Sequence, residues 1–141
     1  MSGLHYTYQV PGDDFTRAGE GSGAVKGTLK KLGFPPEVVR KVSIAMYEGE
    51  INLVIHGGGG IIDVDIDGEK VHMVLSDHGP GIPDIAKAME EGWSTAPDNV
   101  RSLGFGAGMG LPNMKKYSDE MKVESTVGEG TTVTMTVYLK G

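Results

Sequence analysis

Residues 61–67 read IIDVDID, so Ile62, Val64 and Ile66 alternate with Asp63, Asp65 and Asp67, the period of a strand with one dry and one wet face. Asp67-Gly68 supplies hairpin-turn chemistry, and KVHMVLSD returns with Val71, Met73 and Leu75 on one side. The chain ends on the same pattern: KVESTVGEGTTVTMTVYLK predicts a second hairpin, with Val133, Met135, Val137 and Leu139 facing away from exposed threonines and Lys140. Near the start, HYTYQV puts Tyr6, Tyr8 and Val10 on one parity before the turn at Pro11-Gly12.

Between these strands the period lengthens. Val25, Leu29 and Leu32 recur at i, i+4 and i+7 between GEGSG and Gly33, one face of a helix. FPPEVVRKVSIAMYEGEINLVIHGGGG opens with proline and stops on four glycines, which predicts the longest helix over about residues 36–56. IPDIAKAMEEG reads as a short helix, WSTAPDNVRSLGFGAGMG as an irregular segment, and LPNMKKYSDEM as a further helix with Pro112 in its first turn. Two hairpins with amphipathic helices predict an α/β two-layer sandwich: a mixed, mostly antiparallel sheet with helices on one face. There is no internal repeat.

Composition narrows the class. With 141 residues and 38% apolar content, a single domain over 1–141 with an ordinary core is expected. Thirteen basic against nineteen acidic side chains give a net charge of −6, which disfavours nucleic acid and anionic membrane as partners. The absence of cysteine excludes disulfides and thiolate metal sites and suits a reducing cytoplasm. No apolar run approaches membrane-spanning length and no signal pattern opens the chain, so a cytoplasmic location is expected.

Three clusters could carry chemistry. On the long helix, Glu48, Asn52 and His56 stand four apart, each stepping about 40° around the axis and about 6 Å along it. A carboxamide oxygen in such a stripe can ligate Mg²⁺, and a carboxylate beside it can accept the proton of an attacking hydroxyl; a solvated helix face is the plainer alternative. His56 reads as an orienting or helix-terminal residue rather than a metal ligand. Gly49, mid-helix, points to close approach of another backbone or a ligand. In SDHGPGIPD, Asp77 ends a strand and Gly79 and Gly81 follow, the form of a carboxylate reading an exocyclic amine beside a flat ring, or of a turn alone. In SLGFGAGMGLPNM, four alternating glycines run into a helix start at Leu111, either a slack loop or an anion site of backbone amides. No Walker-type loop is present, and Gly19-x-Gly21 lacks the strand of a dinucleotide fingerprint.

Taken in order, E-x-x-x-N-x-x-x-H, D-x-G-x-G-I-P, G-x-G-x-G-L and a terminal G-x-G-T-T resemble the N, G1 and G2 boxes of the ATPase fold shared by gyrase, histidine kinases and MutL. The resemblance implies ATP and Mg²⁺ as cofactors, with Asn52 holding the metal and Asp77 reading the adenine amine. It places Gly79, Gly81 and Ile82 at the adenine pocket, and Gly106, Gly108, Gly110 and Leu111 at the phosphates, under a lid over about 85–110. It makes Thr131 the support of the adenine-reading aspartate and Glu48 the general base. Neither a transducer domain nor a dimerising helical hairpin is expected within this length. GLPNMKKYSDE is similar to the switch-kinase branch of the bacterial anti-sigma and switch serine/threonine kinases. That branch implies phosphorylation of a serine or threonine on a small STAS-domain anti-sigma-factor antagonist, with a sigma factor or other regulator as a second partner and homodimerisation suggested by anti-sigma relatives. A nucleotide-gated binding module without transfer is the alternative. Arg101, in the lid, is either a γ-phosphate contact or a solvated side chain.

Trp93, the sole tryptophan, falls in the expected lid. Its fluorescence is expected to change on titration with ATP and Mg²⁺ but not with GTP, and an equal response to both would undercut Asp77 as an adenine reader.

Overall fold

The computed structural model describes residues 3–12, 19–55, 58–79, 81 and 110–139. Their elements run β1 (Leu4–Pro11), α1 (Glu20–Lys31), α2 (Pro36–Ile55), β2 (Gly59–Ile66), β3 (Lys70–Ser76), α3 (Gly110–Tyr117), β4 (Glu120–Thr126) and β5 (Gly130–Tyr138). The strands form one sheet in the order β1-β2-β3-β5-β4. Every neighbouring pair is antiparallel. Both expected hairpins are present, and the parallel pairing allowed for in a mixed sheet does not occur among the described residues. At the β2–β3 turn, Asp67 Oδ1 accepts the Glu69 and Lys70 amides at 2.7 and 2.9 Å, the local bonding that makes aspartate a turn former.

The dry face of the sheet is the alternating set the sequence marked. Ile62, Val64, Ile66, Val71, Met73, Leu75, Val133, Met135 and Val137 are buried, and Val25, Leu29, Val38, Val42, Ala45, Met46 and Leu53 cover them from α1 and α2. The described helices α1 and α2 therefore lie on one side of the sheet. Leu32, expected on the buried face of α1, is instead 39% exposed at its C-cap. The helix ends there because Gly33 turns at φ 79 and the amides of Gly33 and Phe34 bond back to Lys30 O and Leu29 O, both at 3.1 Å. This is a Schellman motif, and Phe34, itself buried in the core beside the helix end, takes the place foreseen for Leu32.

Two further boundaries differ from the sequence reading. The helix expected over LPNMKKYSDEM stops at Tyr117, because the Asp119 amide donates to Thr136 O at 2.8 Å and opens the β4–β5 ladder; Met121 and Val123 then pair opposite Met135 and Val133. Asp119 also accepts Lys41 Nζ at 2.8 Å and the Tyr138 amide at 2.7 Å, tying α2 to the far edge of the sheet. Thr136, placed with the exposed threonines, is 4% exposed, its hydroxyl 2.9 Å from His72 Nδ1.

Gly49 is explained by packing. A Cβ there would collide with Leu75 Cδ2 and press on Met114 Sδ at 3.3 Å, so close approach is the reason, but the neighbours are core side chains rather than a backbone or ligand. Its neighbour Glu50 was not singled out by the sequence, yet it is 2% exposed. Helix α1 has Gly19 at its N-cap with no side-chain cap, and Glu50 supplies the missing acceptors: Gly21 N donates to Oε2 at 3.0 Å and Ser22 N to Oε1 at 2.9 Å. A buried carboxylate is stable only when so satisfied, and the positive end of a helix is a favourable place for it.

Glu50→Ala is expected to lower unfolding stability by about 3 kcal/mol, the scale of two charge-assisted bonds to amides left buried, whereas removing the exposed Lys122–Glu124 pair, 2.7 Å apart, should cost far less because solvent screens it. Urea unfolding of both variants checks this; comparable small losses would show that the Glu50 contacts add little.

Candidate active site

Helix α2 carries the first site residues because its apolar positions, Val42, Ala45, Met46 and Leu53, turn one side to the sheet and leave the i, i+4 line of Glu48 and Asn52 only half-buried. The helix lies over the end of β3. Gly49 rests on Leu75, and a Cβ on Gly60, the residue facing the β3 terminus, would meet Leu53 Cδ2 at 2.9 Å as well as Ser76 O. The segment holding Glu48 and Asn52 is thus set beside the point where Asp77 leaves the sheet.

Asp77 is fixed by the neighbouring strand. Its amide donates to Thr131 O at 3.0 Å, and its Oδ1 accepts the amides of Gly79 at 2.8 Å and Thr131 at 3.3 Å. No described residue donates to Oδ2, so one carboxylate oxygen is oriented by backbone and the other is left to accept from elsewhere. The contact expected of Thr131 is therefore made by its backbone; its hydroxyl lies 2.9 Å from Ser125 Oγ. Two glycines make the seat. Gly130, at φ 133, leaves no room for a Cβ beside Asp77 O, and Gly81, at φ 80, would set one 2.5 Å from Thr126 O. Any side chain at either position would strain the backbone and push the D-x-G-x-G turn off the β4–β5 hairpin.

The third group comes from α3, whose Leu111 and Met114 are buried at 6% and 0% exposure. Packed on α2, this helix brings Asn113 to Glu48, with Nδ2 donating to Oε1 at 3.4 Å. Burial pushes the Glu48 carboxyl above its ordinary value, and the Asn113 bond opposes that rise. A carboxyl raised by burial next to a neutral donor suits a group that takes up and releases a proton. Among the described residues no cluster of three or more histidine or acidic side chains could hold a metal by itself.

Gly110 and Leu111 begin α3, the position a phosphate-facing helix start requires. Ile82, Gly106, Gly108, His56, Trp93, Arg101 and the expected lid short of Gly110 lie outside the described residues. Asn113 was not foreseen, since no motif or period marks it and only the α2–α3 packing brings it to Glu48.

Comparison with known proteins agrees with this geometry. Residues 19–137 match the histidine kinase-like ATPase domain family. The serine/threonine-protein kinase RsbT of Bacillus subtilis (strain 168) is 32% identical over 119 residues, covering 82% of this chain and 84% of its own. The anti-sigma F factor of Thermoanaerobacter sp. (strain X514) is 39% identical over 108 residues, covering 73% and 72%. Among solved structures, the RsbU and RsbW domains of a Mycobacterium tuberculosis protein superpose with a TM-score of 0.63 at 17% identity, covering 97% of this chain and 32% of that one. The mycobacterial sensor histidine kinase MprB gives 0.54 at 16%, covering 96% and 97%. The order of motifs, the antiparallel sheet under one layer of helices and the match over most of its length together establish that this chain belongs to the histidine kinase-like ATPase domain family, on the side of its serine/threonine switch kinases and anti-sigma factors.

Proposed function

We propose that this protein is an ATP-dependent serine/threonine kinase of the switch type, acting on a hydroxyl of a small STAS-domain antagonist in a bacterial partner-switching pathway. The observation that carries the proposal is Glu48: a half-buried carboxylate one helical turn before Asn52, raised by burial and touched by an uncharged carboxamide. A pure binding module has no chemical need of such a group. The donor set fits ATP with Mg²⁺: Asn52 would hold the metal, Asp77 would accept from the adenine amine through Oδ2, and Gly79, Gly81 and Ile82 would line the ring. Gly106, Gly108, Gly110 and Leu111 would present backbone amides to the phosphates. When bound, the nucleotide supplies a γ-phosphoryl group whose charge the metal offsets.

Within that arrangement Glu48 would accept the proton of the partner's serine or threonine hydroxyl as its oxygen bonds to the γ-phosphorus, the bond from that phosphorus to the bridging oxygen breaks and ADP leaves with the bonding pair. The proton ends on the carboxylate. Burial helps because it raises the basicity of the group without adding a cation that would quench it. The Asp77 seat contributes selectivity, because a carboxylate acceptor pairs with the amine of adenine and repels the carbonyl of guanine. A second reading, nucleotide-gated sequestration of a sigma factor or other regulator without transfer, draws support from the anti-sigma F factors among the similar proteins.

With labelled ATP and candidate STAS domains, the wild-type protein is expected to label its cognate partner. Glu48→Gln should keep ATP binding and lose at least about a hundredfold in transfer, while Asn52→Ala should weaken Mg²⁺-dependent ATP binding about 10- to 100-fold. No labelling of any STAS partner by a wild-type protein that binds ATP would favour the sequestering module. Glu48 also predicts a stability effect whose sign follows from its burial. A carboxyl raised in the fold stabilises it below the unfolded carboxyl range and loses that contribution as pH climbs through the raised value, so at neutral pH the half-buried charge opposes folding. Glu48→Gln should therefore melt above wild type at pH 7–8, with the gap closing toward about pH 4; an equal or lower melting point at pH 7–8 would refute the burial account.

A further inference from the structure

We propose that Asn113 is the positioning residue of the reaction: from α3 its carboxamide holds one oxygen of Glu48 and leaves the other free to take the proton of the acceptor hydroxyl. The inference rests on the reading of Glu48 as base and extends it to a residue that no nucleotide-binding motif includes.

Three observations carry it. Asn113 Nδ2 is within hydrogen-bonding distance of Glu48 Oε1 at 3.4 Å, and both residues are half-buried where α2 and α3 meet. Among the described residues it is the one polar group acting on that carboxylate, and no charged side chain does. The helix that carries it cannot drift freely, since Leu111 and Met114 on either side of Asn113 are buried at 6% and 0%, and Met114 Sδ abuts the notch left by Gly49 next to Glu48.

The chemistry of the donor matters as much as its place. A lysine or arginine here would form an ion pair and lower the basicity of Glu48, and a carboxylic acid would compete for the proton. A carboxamide forms no ion pair and does not compete for the proton: it donates one N–H, which lowers the carboxyl only against the rise from burial, carries no charge and cannot surrender a proton at working pH. A 3.4 Å bond is long, the geometry expected of a catalytic contact that tightens when the site fills. Asn113 also lies three residues after Gly110, the last of the alternating glycines. Backbone displacement at the start of α3, where the phosphates are placed, is thereby transmitted to the base over less than one helical turn. The α2–α3 seam is already secured by the packing of Met114, so the contact is not needed to hold the helices together.

The test uses the full chain with Asn113→Ala, Asn113→Asp and Asn113→Gln, read in two ways. In the protein alone, ¹³C-detected titration of the Glu48 carboxyl, assigned with Glu48→Gln, should move to higher pH in Asn113→Ala and further in Asn113→Asp, and return toward wild type in Asn113→Gln. In transfer assays, Asn113→Ala should lose about tenfold or less in kcat, the effect of one hydrogen bond, with KM for ATP little changed and the acid limb of the pH profile displaced in the same direction as the titration. The melting point should stay within about 3 °C of wild type. Unchanged titration and an unmoved acid limb in both Asn113→Ala and Asn113→Asp would overturn the proposal. If the wild-type protein transfers no phosphate at all, the kinase reading fails and the positioning role falls with it, while the carboxyl titration separately reports whether the contact exists.

Discussion

The distance between α2 and the sheet is the constraint on which the rest of this structure depends. Helix α2 lies close because Gly49 has no side chain where Leu75 and Met114 need the space. That single notch lowers a helix with one dry face onto β3 and seats α3 against its flank. The same settling sets the depth of Glu48 and Asn52, half in and half out of the protein. A glycine that costs the helix about 1 kcal/mol in propensity is thus offset by burying Leu75 and Met114 completely, and it places the polar stripe at the end of β3 where Asp77 emerges.

Glu48 and Glu50 flank that glycine and show how one residue type serves two ends. Their side chains point about 160° apart around the helix. Glu50 turns inward and is satisfied by two backbone amides of α1, so its charge is neutralised by geometry and it acts as a cap supplied by another helix. Glu48 turns toward the site, accepts one long bond from a carboxamide and is raised by burial. The first is fixed by two amide donors, the second by one long bond and its burial. What separates them is the number of donors within reach, a property of the neighbouring helices and not of glutamate.

Asp77 follows a third pattern, in which a strand end is locked by its neighbour. The Thr131 backbone grips it from both sides, and Gly130 and Gly81 let the turn and the β4–β5 hairpin close on each other. One carboxylate oxygen is thereby engaged by backbone amides, while no described residue donates to the other. Because α2, β3 and the hairpin share one core, the three parts of the site are positioned by the same packing that stabilises the fold.

Much of this was legible beforehand. Alternation at period 2 located four of the five strands closely, the i, i+4 spacing located α1 and α2, and the order of the glycine and aspartate motifs pointed to the family, because strand and helix periods and tight turns are written locally. Long-range contact decided the rest. Leu32 lost its core position to Phe34 once a Schellman turn closed α1, and the helix read over LPNMKKYSDEM ended at Tyr117, its last residues giving way to β4 from Glu120, because the ladder with β5 offered bonds that a helix end does not. Nothing local could reveal that Glu50 caps α1 from 28 residues away, that Thr131 holds Asp77 with its backbone, or that Asn113 meets Glu48 across 65 residues of chain. The sequence by itself determined which groups were available and the period of each element. Only the tertiary structure decided which of them share a site, because burial and hydrogen-bond partnership arise when elements distant in the chain are packed together.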